Sequence, residues 1–419
     1  MIAIQGIRKK NVSIFIAVTL FLLFPVASLP FILYGIYNRE KVAYVLFCLF
    51  MGLIGFLYSP FGDLYRYHLM FESIKHMSLV GIFNKYNAQE TADYVLPLIT
   101  WCVGQFGLPV DWVRFLFNAL GFGIVCSMHN TLCSYNTYNN RTSNFFCFLS
   151  LWFVTGAVYM LYRWGFAVNL FVWAVCIIEI KHKKTGWFVI ALAGLCHSAL
   201  WFIIIIYLIY RIRKYVFSKT VLIVFFIITL FASMSFVAQL FENFDILGIY
   251  DRFIIYVSEG AYWNSGYLND RSDRKIIYDN ISNIPIYIAW ILIILDGKKS
   301  QPIKWVIHMM CFVLVIIAGF PNLTLRITAI FSKLFVVYFF YNTLFINFYS
   351  KKRAVFTLIL AISFMSNIYG TQKRSFIWGN TGKIFYSSLY QIVSSPYGDS
   401  WMFENINNIG DWQKTLNNN

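Results

Sequence analysis

Read along its length, the chain alternates between long apolar stretches and short polar ones. The apolar stretches fall at about 11–36, 42–58, 108–130, 144–162, 164–180, 220–241, 284–295, 305–320, 324–347 and 354–369. Most approach the roughly 17–25 residues that a helix needs to cross a bilayer core, and the pattern predicts an all-α polytopic integral membrane protein with about 10–12 transmembrane helices. An outer-membrane barrel would show shorter segments of alternating polarity.

Two stretches fit less simply. Residues 92–106 are apolar but short, which suits a half-helix or an interfacial one. Residues 186–210 allow either one long crossing or two half-helices that turn at Cys196-His197-Ser198. Charge decides between these. Lys181-His182-Lys183-Lys184 precedes the segment, and Arg211, Arg213 and Lys214 close it. Basic clusters of this kind belong on the cytoplasmic side. A single crossing would put one cluster outside, whereas a re-entrant hairpin keeps both inside. A broken helix is tolerated at membrane depth when it is buried in protein or lines a cavity.

With the hairpin in place the other loops sort themselves. The 296–304 loop and the Lys351-Lys352-Arg353 cluster fall inside. The loops at 59–91 and 242–283, the turn at Arg163 and the tail after 370 fall outside. Arg8-Lys9-Lys10 also lands outside unless the first apolar segment, interrupted by Pro25 and Pro30, is irregular. The expected organisation is one multi-span membrane domain over 1–369 with outer loops 59–91 and 242–283, then a C-terminal tail over 370–419. The first segment reads as a retained span, because no clear small-residue cleavage site follows it. No internal repeat is visible, which counts against transporter folds built from duplicated halves.

Composition agrees with this class. Hydrophobic residues make up 59% of the 419 and charged residues 12%, with a mean hydropathy of +0.64; a soluble domain carries about 25% charge. The net charge of +16 does not point to nucleic acid, because it sits in short clusters between apolar stretches. Eight cysteines form no CxxC pair and lie mostly in apolar runs, where a free thiol behaves as a small hydrophobe. No Walker loop, GxGxxG, HExxH, Cys/His cluster or DxD-like pair is present, which argues against an ATPase, a dinucleotide enzyme, a zinc protease and a metal-bound sugar-nucleotide site.

Five places carry candidate chemistry. "SPFGDLYRYHLMF" sets Asp63, Arg66 and His68 just after an apolar run. Gly62-Asp63 is a plausible helix start, with the Asp63 side chain accepting a backbone N–H bond. Leu64, Tyr67, Phe71 and Ile74 would then share one face; a plain interfacial helix with Tyr65 and Tyr67 in an aromatic belt fits equally. In "YMLYRWGFAVNLFVWA", Arg163 lies between apolar stretches without turn residues around it, which suits a buried helix start. An arginine there forks onto phosphate with a permanent charge. His197 in "LAGLCHSALWF" is either a packing residue or a proton-transfer group at the re-entrant turn. The loop 242–283 interleaves acids and arginines, Arg252 among them, with Tyr250, Tyr256 and other aromatics, a mixture suited to carbohydrate. Arg326 in "FPNLTLRITAIF" opens an apolar helix, either as a snorkelling anchor or as a third arginine level with Arg163 and Arg252. Three cations at one depth suggest an anionic ligand.

The order "GDLYRYHLMF", "YRWGFAV", "LAGLCHSALWF", "YDRF", "LRITAIF" resembles the EpsG/Wzy family of polysaccharide polymerases over roughly residues 40–345. Cys196 stands before His197 where that family more often has an aromatic, and the tail from 370 lies outside the resemblance. The likeness implies a GT-C-like, metal-independent transferase without a cofactor, in the bacterial cytoplasmic membrane with its site facing outwards. Its implied substrate is an oligosaccharide repeat unit on undecaprenyl diphosphate. The growing chain passes from its lipid diphosphate to a hydroxyl of a new unit. Membrane lipid and a chain-length regulator are the other partners implied. On this reading Arg163, Arg252 and Arg326 bind the diphosphate, and Asp63, His68 and His197 are candidates for catalysis. Arg66, Tyr67, Tyr250 and Tyr256 would contact the glycan. Another lipid-linked transferase, an O-antigen ligase or a flippase remain the alternatives.

Overall fold

The computed structural model describes residues 2–88, 93–135, 140–156, 162–231, 273–296, 303–317, 321–341, 350–369, 373–408, 410, 412 and 413. Among these the regular structure is helical, apart from one isolated bridge between Ile406 and Trp412. Tyr250, Arg252 and Tyr256 lie outside the described residues.

The chain opens with α1 (Ile2–Leu23) and α2 (Pro25–Tyr37). Phe24 between them is extended (φ −145°, ψ 92°) and Pro25 opens α2, a position where the missing N–H costs nothing. α1 then packs along α2, so the first apolar segment is irregular, the condition that the basic Arg8-Lys9-Lys10 required.

α3 (Lys41–Leu57) and α7 (Asp111–Tyr135) form the central antiparallel pair. Tyr44 meets His129 (2.9 Å) near one end, and Arg114 donates to the carbonyls of Gly55 and Phe56 at the other. The backbones approach so closely there that a Cβ on Gly55 would stand 2.4 Å from the Asn118 amide. α8 (Arg141–Thr155) completes an aromatic core, with Phe148 and Trp152 set edge-on against Phe47.

α9 (Trp164–Val175) runs on through a π-turn, Cys176–Ile180, and α10 (Thr185–Cys196) and α11 (Leu200–Arg213) follow. Buried Glu179 in the π-turn accepts hydrogen bonds from the Arg211 guanidinium (2.9 Å) and the Tyr207 hydroxyl (2.8 Å), and Lys214 lies 3.6 Å away. The far end of α11 therefore returns to the level at which α10 began. α10 and α11 thus form a helical hairpin with both basic clusters at one end, and each arm is shorter than the roughly 17–25 residues of a full crossing.

α12 (Lys219–Phe231), α13 (Asp273–Leu295), α14 (Lys304–Ile316), α15 (Pro321–Tyr341) and α16 (Ser350–Asn367) pack around this centre. Asp296 pairs with Lys304 (3.1 Å) and Tyr338, and Arg353 bonds Ser143. One end of the bundle thus gathers the basic segments near 39–41, 181–184, 211–219, 304 and 353. On α16, Val355, Leu358, Ile362 and Met365 form an exposed apolar stripe at helical spacing. All-helical architecture with outward-facing apolar stripes has the character of a membrane protein.

Among the described residues two helical stretches, Asp111–Tyr135 and Thr324–Tyr341, are long and apolar enough to cross a bilayer by themselves, and the other apolar helices have 10–17 residues. Among the described residues the count of full-length helices is thus lower than the hydropathy pattern suggested. One cause is visible, the break at Phe24, which divides the first apolar stretch between α1 and α2.

Candidate functional site

At the end of the bundle opposite the basic segments, four short pieces of chain converge. They are the approach to α6 (Val95–Gln105), the start of α9, the turn between α10 and α11, and the start of α15. Asp93 precedes α6 and is buried. One of its carboxylate oxygens pairs with the guanidinium of Arg163, and the other accepts the backbone N–H of Ser198 at 2.6 Å. Next to it, Tyr94 N–H donates to the Leu195 carbonyl (3.0 Å). This stitching has a local cause. Residues 195 and 198 flank the break between two helices, where backbone groups lack intrahelical partners, and the approach to α6 supplies them.

Arg163 is the residue before the first turn of α9 (φ −99°, ψ −69°), the helix-start position expected of it. Its side chain is one-third exposed while Asp93 is 9% exposed, so the pair is held from the protein side and open from the other. Trp164 follows and carries the site's two further members. The His197 ring stands edge-on to it (5.1 Å, 78°), and the Arg326 guanidinium lies over it at 6.0 Å. Burial at the turn disfavours a charged His197 ring, and the nearby cations of Arg163 and Arg326 act in the same direction. His197 Nδ1 accepts from the Ala199 backbone N–H (3.3 Å), which leaves the ring proton of the neutral form on Nε2.

α4 (Asp63–Ile74) borders this group. Tyr67 stacks on Tyr162 (5.0 Å, 13°) and lies within electrostatic reach of Arg163. Asp63 and Arg66 form an exposed pair at 3.5 Å, and the Asp63 charge also acts on Arg163. α4 does begin at Asp63, but Gly62 is the capping residue and no side chain caps the helix. The expected Asp63 cap is therefore corrected: as the first helical residue, Asp63 contributes its charge to the N-terminal turn and keeps its oxygens for other partners. His68 points elsewhere. It is buried, its Nε2 lies 3.4 Å from Asp399, and its Nδ1 has no hydrogen-bond partner.

The structure thus gathers Asp63, Tyr67, Arg163, His197 and Arg326 at one place and turns His68 away from them. Asp93 and Trp164 are the two members that sequence reasoning did not single out. A lone acid in "TADYVLPLIT", just ahead of a short apolar stretch, was the available signal for Asp93. Among the described residues no group of three or more His, Cys, Asp or Glu side chains is disposed to hold a metal ion.

The class that these features define is an all-helical membrane protein whose site sets partly exposed arginines beside a buried acid and a histidine. Residues 40–376 match the EpsG family, and the chain belongs to it. No curated protein and no solved structure matches the chain.

Proposed function

We propose that this protein polymerises oligosaccharide repeat units carried on a polyprenyl diphosphate, by a metal-independent glycosyl transfer in the bacterial cytoplasmic membrane. Family membership supports the polymerase-type role. The observation that carries the mechanism is the convergence of two arginines on the His197 turn, Arg326 through Trp164 and Arg163 through Asp93. Two guanidinium groups near an imidazole suit a diphosphate. The basic segments at the far end of the bundle support an outward-facing site, by the positive-inside bias. Multi-pass insertion and an outward-facing site follow from the same reading.

In the transfer, a hydroxyl oxygen of the acceptor unit bonds to the anomeric carbon of the donor chain, and the bond from that carbon to the diphosphate oxygen breaks. Negative charge grows on the diphosphate as it leaves. Arg163, Arg326 and the Nε2–H of His197 stabilise it electrostatically in a site that keeps them preorganised. The acceptor hydroxyl loses its proton to a base within hydrogen-bond reach. Asp63 takes that role: its carboxylate is exposed, paired with Arg66, and close enough to Arg163 for their charges to interact. Tyr67 borders the same space and contacts the glycan. Asp93 touches neither reactant; it fixes the arginine and the turn.

The test is genetic and chemical together. Deleting the gene leaves single repeat units on the cell surface, wild-type protein restores a polymer ladder, and Arg163→Ala or Arg326→Ala at normal protein level does not. A deletion strain with no repeat unit at the surface would indicate a flippase. Full-length polymer from both arginine variants would overturn the diphosphate assignment.

A further inference from the structure

The C-terminal tail, from the last residues of the family match onward, is bound to the segment that leads into α4. α3 ends with three carbonyls, at Gly55, Phe56 and Leu57, and helix-end carbonyls need outside donors. Arg114 takes the first two. The tail takes the third: the hydroxyls of Tyr397 (2.9 Å) and Thr381 (3.1 Å) both donate to Leu57. Ser375 then accepts the Ser59 N–H (3.0 Å), and the Gly410 carbonyl accepts the Gly62 N–H (2.8 Å). Gly410 has φ +94°, and a Cβ there would stand 3.0 Å from the Gly62 carbonyl, so glycine permits both the backbone turn and the approach. Trp412 packs on Phe61, and Asp399 reaches His68 on α4 itself.

Tyr397 is the hub. It is buried, and its hydroxyl also meets Ser59 (3.1 Å) and accepts the Asn380 N–H. Its backbone N–H donates to Asp111 (3.3 Å), the acid paired with Arg114. Its ring lies 5.6 Å from the Arg114 guanidinium and edge-on to Trp401 at 4.5 Å. The same tyrosine thus joins the tail, the end of α3 and the start of α7.

We propose that Tyr397 is a positioning residue that sets the course of residues 57–62, and through it the placement of Asp63 and Tyr67 beside Arg163. This deepens the polymerase reading and rests on it for its kinetic consequence. The tail acts on the acceptor side of the site, since what it fixes is α4; Arg163, His197 and Arg326 are held by other contacts.

Tyr397→Phe in the full-length protein keeps the ring beneath Arg114 and removes the hydroxyl; Tyr390→Phe, at an exposed tail tyrosine, is the control. Amide hydrogen exchange over residues 58–74 rises about fivefold or more in Tyr397→Phe, the ratio expected for one lost buried hydrogen bond. Exchange in α9 and the thermal midpoint stay near the control. With purified lipid-linked repeat unit, KM for the acceptor rises by a similar factor while kcat changes less. Unchanged exchange over 58–74 overturns the inference whatever the activity. Raised exchange with unaltered KM overturns the link to the acceptor side. Failure of the polymerase reading is separate, since it shows in the deletion strain, as loss of the repeat unit from the surface or as persistence of the polymer.

Discussion

Asp93→Asn is the sharpest probe of the site, because it changes charge with almost no change in shape. The carboxylate is 9% exposed and has two partners, the Arg163 guanidinium and the Ser198 N–H. In the variant the amide oxygen can still accept from Ser198, but the amide NH2 then faces the guanidinium, donor against donor. Breaking a buried pair costs about 3–5 kcal/mol. The third of Arg163 open to solvent screens part of this, leaving about 2–3 kcal/mol. With a factor of ten for each 1.4 kcal/mol, turnover falls roughly 30- to 140-fold.

The assay is polymer formation from lipid-linked repeat unit by purified protein in liposomes, at equal protein level and with the thermal midpoint recorded. Asp93→Glu keeps the charge and recovers part of the rate. A double-mutant cycle sharpens the result: if Asp93 acts through Arg163, adding Asp93→Asn to Arg163→Ala costs little more than Arg163→Ala alone. Wild-type turnover in Asp93→Asn, or full additivity in the cycle, refutes the reasoning.

His197→Ala removes one donor from the leaving group and lowers kcat about 10²- to 10³-fold with little loss of thermal stability, as read by single-turnover transfer and a melting curve. Asp63→Asn loses an exposed ion pair worth at most about 1 kcal/mol, so the melt barely moves while polymer formation collapses; polymer at wild-type length would assign the base elsewhere. Glu179→Gln leaves Arg211 without its carboxylate and removes an anion that also faces Lys214. It lowers the thermal midpoint in detergent by an amount consistent with about 3 kcal/mol, and an unchanged midpoint would show that the hairpin does not depend on this pair.

How much of this was legible in the sequence depends on how far each signal travels along the chain. Helical apolar stretches are local, and the hydropathy pattern located them. The hairpin at His197 was legible through the basic clusters at 181–184 and 211–214, because the positive-inside bias is a constraint on loops and not on contacts. Arg163 at the head of α9 was legible from its lack of turn residues. Asp93 was not. An acid just before a short apolar helix has the same local pattern as an ordinary cap, and its two partners lie in distant parts of the chain. The pairing of Ser59 with Ser375 and of Gly62 with Gly410 likewise leaves no periodicity to read.

That division has a physical reason that bears on the site itself. Apolar burial is non-directional and scales with area, so its pattern survives in sequence as composition and period. The arginines, by contrast, work only if held at fixed distances from one another and from His197, and such fixing requires hydrogen bonds between pieces far apart in the chain. Asp93 does this for Arg163 and the re-entrant turn; Tyr397 does it for α4. Both are buried and both bond to backbone groups that helix ends leave unpaired. One of these helix breaks, the turn at His197, is therefore also a place where the site is assembled. A helix interrupted at His197 or at the start of α9 exposes backbone donors and acceptors, and the residues that satisfy them are the ones that set the geometry of the charges.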